Sequence, residues 1–310
     1  MENRKFFFSL LNQDTRKFIW FYRRSTERSQ FLHNSLFSAR LDAFSLSGDE
    51  IVRAHEKDIT FSPSAFAVAI SLDRLTGLSY YGTYVSPDKK IWLYERVIGV
   101  GGSTHDSLGA FSFISFSFDK VRRRLVRDTT SDFNILPAQR AVEPVGIFGV
   151  GNDVWVFTRE TTAYARAFTY NPSDAANRFT RNSSADVLRT TPQSQGRNRQ
   201  NYRATAYLGD RAWGFYGSNN PGGSISDRAQ GFSYSNGSLS LNSANRSVAE
   251  LAYQDGLFLS KERGWVLFQL FSTSRLRPAT IDPVDQILVS SLADNDITLG
   301  PHFYRLGFIT

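Results

Sequence analysis

Five tryptophans, each at the centre of a short apolar stretch, constrain this chain more than any other feature of its sequence. Trp20, Trp92, Trp155, Trp213 and Trp265 sit in Phe18-Ile19-Trp20-Phe21-Tyr22, Lys90-Ile91-Trp92-Leu93-Tyr94, Asp153-Val154-Trp155-Val156-Phe157, Arg211-Ala212-Trp213-Gly214-Phe215 and Arg263-Gly264-Trp265-Val266-Leu267. Successive side chains of a strand point to opposite faces, so bulky residues at consecutive positions predict strands covered on both sides. Similar segments recurring at intervals along a chain indicate a repeat architecture, in which each unit buries its apolar face against its neighbour.

Three further marks recur with the tryptophans. Polar turns precede them at Asn12-Gln13-Asp14-Thr15-Arg16, Ser86-Pro87-Asp88-Lys89, Gly151-Asn152, Gly209-Asp210 and Lys261-Glu262. These residue types supply hairpin backbone angles, so each Trp is expected on the second arm of a hairpin. An aromatic-hydroxyl-apolar triplet follows at Phe44-Ser45-Leu46, Phe116-Ser117-Phe118, Phe168-Thr169-Tyr170 and Phe232-Ser233-Tyr234, with Ile281-Asp282-Pro283 at the comparable place in the fifth unit. A polar turn and another strand-like stretch come after each triplet. Asp58 to Pro63, Asp132 to Pro137 and Asp296 to Pro301 share one spacing, and Asp186 to Pro192 is a looser copy. Each unit is therefore two hairpins and a connector, or four strands.

Four-stranded sheets repeated around an axis make a propeller. The expectation is an all-β, five-bladed β-propeller forming one domain over residues 1–310, with blades near 1–58, 59–132, 133–186, 187–248 and 249–300. The stretch after Pro301, His302 to Thr310, corresponds to the strand that follows Pro63. It is expected to pair with the first blade as a closing strand over 301–310. Composition agrees, since aromatics reach 14% with 26 Phe and 13 Tyr, residues that suit a pleated, half-buried surface.

The same composition narrows the function. There are no cysteines, which excludes disulfides, thiolate metal sites and a cysteine nucleophile. Met1 to Lys5 and the apolar run Phe6 to Leu11 are read as a first strand and not as a signal peptide, because no small-residue cleavage site follows. No apolar run approaches the ~18 residues of a membrane span. His33, His55, His105 and His302 show no metal-ligand spacing, and no Gly-x-Ser-x-Gly elbow is present. Gly99-Val100-Gly101-Gly102 follows a strand without opening a helix, which argues against a phosphate loop. No cofactor, metal or catalytic residue is expected.

Residues that carry binding remain. The tryptophans are either packing residues between blades or stacking platforms for sugars, and their apolar neighbours favour packing. Asp58, Asp132, Asp186 and Asp296 are periodic, as turn or cap groups are, whereas glycoside cleavage needs two carboxyls of different proton affinity. Ser86-Pro87-Asp88-Lys89-Lys90-Ile91-Trp92 resembles the Asp-box of sialidases but lacks its central glycine and is one residue short. The net charge of +7 is concentrated locally in Arg122-Arg123-Arg124 and Arg127 beside Lys120. Strand alternation would put Arg122 and Arg124 on one side. Arg122, Arg124 and Arg127, with Arg197 and Arg199 in the polar loop from Thr190 to Tyr202, are the candidate partner-binding residues. Charge guarding an exposed blade edge accounts equally for the first cluster.

The repeats resemble β-propellers over essentially the whole chain. Ile91-Trp92-Leu93-Tyr94-Glu95-Arg96 and Val154-Trp155-Val156-Phe157-Thr158-Arg159 also resemble strands in the propeller parts of bacteriophage tail proteins of the nozzle type. That resemblance implies a non-enzymatic scaffold of the virion, made in the host cytoplasm, whose partners are other protein subunits. A glycan-binding propeller lectin and a glycosidase-like propeller are the alternatives. Nucleic acid is not an expected partner.

Overall fold

Every tryptophan lies on a strand second from one edge of an antiparallel sheet, and five such sheets contain the described strands. The computed structural model describes residues 17–24, 39–48, 50–65, 75–99, 111–135, 144–158, 164–188, 202–219, 225–248, 253–270, 273–284, 286–290, 295–300 and 303–309. The N-terminal run from Phe6, the turn at Asn12 to Arg16, His33, His105, His302, and Arg197 and Arg199 lie outside the described residues.

The first sheet orders β23 (Phe303–Ile309), β1 (Lys17–Arg24), β2 (Ala39–Ser47) and β3 (Glu50–Arg53), with β4 (Ile59–Phe61) also on β2. The second runs β5 (Leu75–Val85), β6 (Ile91–Gly99), β7 (Phe111–Asp119), β8 (Arg124–Asn134). In the third, β9 (Pro144–Val150), β10 (Asp153–Thr158), β11 (Tyr164–Tyr170) and β12 (Phe179–Arg181) are joined by β13 (Val187–Leu188) on β11. The fourth is β14 (Tyr202–Leu208), β15 (Arg211–Asn219), β16 (Ile225–Ser235), β17 (Ser238–Val248). The fifth is β18 (Tyr253–Phe258), β19 (Gly264–Leu270), β20 (Thr273–Ile281) and β21 (Ile287–Val289), with β22 (Ile297–Thr298) on β20. The fold is all-β, a five-bladed β-propeller. The C-terminal strand belongs to the first sheet, pairing Trp20 with Phe308 and Tyr22 with Leu306.

Three sheets have a divided outer strand. On β2, β11 and β20 the outer position is filled first by one short strand and then by another. In the first and third sheets a single 3-10 turn, His55–Lys57 or Ser183–Ala185, falls between the two pieces. In the first two sheets the two ends differ. Short turns at 86–90 and 120–123 mark one end of the second sheet, with the start of β5, the end of β6 and the start of β7 at the other; in the first sheet the end of β1, the start of β2 and the end of β4 lie together.

The chain divides into two compact units. One comprises residues 2–140, 169–181 and 303–310, and the other comprises 141–168 and 182–302. In the first unit, Trp20, Leu41, Leu93, Ile114 and Phe116 share one buried cluster. Trp20 meets Phe118 of the second sheet edge-on at 6.4 Å, and Trp92 meets Tyr170 at 5.6 Å and Phe179 at 5.0 Å. In the second unit, Trp155 packs on Tyr234 of the fourth sheet and Trp213 on Phe258 of the fifth. The last residue of the aromatic-hydroxyl triplet, Phe118, Tyr170 or Tyr234, thus covers the tryptophan of the preceding sheet. Tyr170 also donates its hydroxyl proton to Asp88, and Tyr234 donates to Asp153.

In the second unit, the first strands of successive sheets approach too closely for side chains at certain points. A Cβ on Gly256 of β18 would lie 2.5 Å from the Ala206 Cβ of β14, and one on Gly146 of β9 would strike Thr205. Gly256→Ala should therefore cost about 1–3 kcal/mol through overpacking. Chemical denaturation would measure this, and an unchanged midpoint would contradict the close approach.

Candidate functional site

The recurrent residues form a structural latch. The indole N–H of Trp20 donates to the Lys57 carbonyl at 3.2 Å, and that of Trp155 donates to Ala185 at 3.1 Å. In both cases the acceptor immediately precedes a periodic aspartate. Asp58 then accepts the Ala43 N–H and Asp186 the Ala167 N–H, fastening the interrupted outer strand to its neighbour. Arginines close the latch. Arg53 pairs with Asp58, Arg127 with Asp132 and Arg277 with Asp296 through two N–H groups each. Trp92 departs from the pattern and donates to the Ser86 hydroxyl at 3.0 Å. The five indoles are buried, with Trp265 the most exposed at 4%, so none presents a face for sugar stacking.

The basic candidates separate in space. Arg122 belongs to the turn at 120–123 and Arg124 begins β8, so strand alternation does not relate them. Arg127 is only 9% exposed and is committed to Asp132 and to the carbonyls of Ser62, Ser115 and Asp128. Arg127, one of the candidate partner-binding residues, is thus engaged within its own blade and with the segment that follows β4.

A different group has features of a reactive site. Across the second sheet, register pairs Tyr80 with Glu95, Glu95 with Ser112, and Ser112 with Asn134. Directly paired residues share a face, so four polar side chains form a row, one from each strand. Glu95 is fully buried. Its Oε2 accepts from the Tyr80 hydroxyl at 3.0 Å and from the Ser64 N–H at 3.2 Å, while the Ser64 hydroxyl donates to Oε1. The Ser64 and Ser112 hydroxyls are 3.3 Å apart. Ser64 follows β4, at the start of the passage between the first and second sheets. Burial pushes Glu95 above the usual carboxylate range, and the Ser64 and Tyr80 donors only partly offset it. Burial and the neighbouring Glu95 charge push Tyr80 well above its ordinary value. The Asn134 Oδ1 is buried and accepts no hydrogen bond from the described residues.

The first sheet carries a second group at the corresponding end, where the connection 25–38 leaves. Asp42 is buried and accepts from the Tyr304 hydroxyl at 2.7 Å and from Arg40 Nε at 2.5 Å, with Arg53 at 3.1 Å. Arg40 and Arg53 both reach Asp58 as well. Burial alone would raise Asp58, but Arg53, the Ala43 N–H and Arg40 outweigh it and hold the carboxyl below its ordinary value. Unit 2–140 with its added segments therefore contains one carboxyl biased towards its protonated form and another biased towards ionisation.

Glu95 was visible in the sequence only as an acid inside an apolar strand, Ile91-Trp92-Leu93-Tyr94-Glu95. The position three residues after the tryptophan is Arg23, Thr158, Tyr216 or Phe268 in the other units. Ser64, Tyr80, Ser112 and Asn134 carried no local signal, because strand register alone brings them together. No group of metal-ligating residues occurs among the described residues, and no described helix is long and apolar enough to cross a membrane.

The chain matches no protein-family model and no curated protein. Similar solved structures include a protein from Lactobacillus plantarum, 11% identical, covering 96% of this chain and 100% of its own length with a TM-score of 0.45. Another is a putative 6-phosphogluconolactonase from Bacteroides uniformis, at 10% identity, 94% and 83% coverage and TM-score 0.40. A third is an α-L-arabinofuranosidase from Clostridium thermocellum, at 8% identity, 92% coverage of each chain and TM-score 0.45. Two of these carry enzyme descriptions, and none is described as a tail or virion component. The reading as a non-enzymatic bacteriophage scaffold is corrected on that finding. The six-residue strands behind it report the packing of a propeller strand and no particular lineage.

Asp58→Asn should lower stability by about 1–2 kcal/mol at pH 7, a value reduced from that of a buried charged hydrogen bond because solvent reaches Arg40. The Asp58 contribution is present above the ordinary aspartate value near 4 and disappears as pH falls through its lower folded value. Urea titrations from pH 7 down to pH 2 should therefore show the two proteins converging in acid.

Proposed function

We propose that this chain is a carbohydrate-directed propeller with acid–base chemistry of the glycosidase type, centred on Glu95. The observation carrying this reading is a buried carboxyl biased towards protonation, in the same unit as a carboxyl that guanidinium groups keep ionised. Glycoside cleavage uses such a division. A protonated carboxyl gives its proton to the departing oxygen, and an ionised one assists water or attacks the sugar carbon. Glu95 is the proton donor in this scheme. Tyr80, Ser112 and Asn134 line up hydroxyl and amide groups suited to a hydroxyl-bearing ligand.

Ser64 covers Glu95 with both its N–H and its hydroxyl. A substrate oxygen would have to take the place of Ser64, so the segment at 62–65 is the part that moves aside. The purified chain should turn over at least one member of a panel of aryl glycosides and sugar lactones. Glu95→Gln should lower kcat by about 10²–10⁴-fold, the usual contribution of a general acid, without lowering the melting temperature. Activity should decline as pH rises and Glu95 loses its proton. Absence of turnover across the panel, or full activity in Glu95→Gln, would reject the assignment.

A further inference from the structure

The turn between β7 and β8 lies at the opposite end of the second sheet from Glu95 and takes no part in the proposed chemistry. Lys120, Val121, Arg122 and Arg124 are exposed there, with Val121 93% exposed at the apex and the Arg122 side chain 69% exposed. The tip carries this apolar side chain between basic residues, with Arg122 Nη1 3.8 Å from the Asp119 carboxylate, and the turn is held in place. Asp119 Oδ1 accepts the N–H groups of Val121 at 2.9 Å and Arg122 at 3.0 Å. The Lys57 ammonium donates to the Arg122 carbonyl at 2.9 Å. Arg123, in a left-handed conformation with φ 51°, lays its guanidinium over the Phe18 ring at 5.1 Å. The tip is thus fastened to the first sheet at two points. Val126, 38% exposed, lies two residues beyond Arg124 on the same face of β8.

We propose that this hairpin tip is a docking surface for an acidic protein segment, with Val121 entering an apolar pocket and Arg122 and Arg124 engaging flanking carboxylates. Arginine forks match carboxylates in geometry. Apolar centres with arginine around them are typical of protein interfaces. Preorganisation of the turn lowers the ordering cost of association. A nucleic-acid site would need a longer basic stripe to follow a phosphate backbone. A membrane would gain only one apolar side chain and a few cations from a single tip.

The test is fluorescence anisotropy of the full chain with a fluorescein-labelled peptide of alternating Glu and Leu. Binding should weaken steeply as salt rises from low ionic strength. Arg122→Glu with Arg124→Glu should weaken it by at least about tenfold, and Val121→Ser by about threefold. These side chains are exposed, so near-ultraviolet circular dichroism should stay unchanged and separate lost binding from lost folding. No binding, equal binding by the double variant, or tighter binding to single-stranded DNA or phosphatidylserine vesicles would each overturn the proposal.

Discussion

The burial of one indole per sheet is the interaction on which the remaining structure depends. A tryptophan removes roughly 150–250 Å² from water, worth about 4–6 kcal/mol of transfer free energy at the usual coefficient. The indole also brings an N–H that must find an acceptor in a dry setting. Trp20 and Trp155 solve this identically, through the carbonyl before a periodic aspartate, and Trp92 solves it through Ser86. Packing and polar satisfaction together settle where the outer strand of the blade must break, because the 3-10 turn has to deliver that carbonyl.

From this requirement follows the role of the aspartates and arginines. A carboxylate that accepts a backbone N–H and a forked guanidinium cannot slide along the strand without losing both. Ion pairs of this kind often add little net stability over an apolar replacement. Their geometric demands on a sheet are strict, however, and repetition at Asp58, Asp132, Asp186 and Asp296 ties each to the same place in its blade. Periodic polar residues in this chain therefore serve architecture.

Glu95 breaks the period: its place is held by a different residue type in every other unit. A buried carboxyl with a raised proton affinity is unfavourable for stability at neutral pH, since the unfolded chain would ionise it freely. Proteins commonly tolerate such local conflicts at functional positions. The six-residue resemblance that pointed towards a phage tail ran directly through Glu95, but its apolar residues and its tryptophan only describe a strand covered on both faces.

Local sequence by itself determined the all-β class, the number of sheets and the strand that carries each tryptophan, since turn chemistry and side-chain alternation act over a few residues. It also marked the aspartates, which recur at one point of the repeated unit. Only the tertiary structure decided which polar groups meet. Arg127 read as a surface cation although Asp132 stands on the same strand, because only the irregular register of β8 against β7 turns the two side chains towards each other. Glu95 read as an ordinary strand residue because its partners come from Ser64, Tyr80 and Ser112, on other strands and connections. Burial and register are properties of distant segments brought side by side, and they alone raise a carboxyl's proton affinity or turn a guanidinium into a brace.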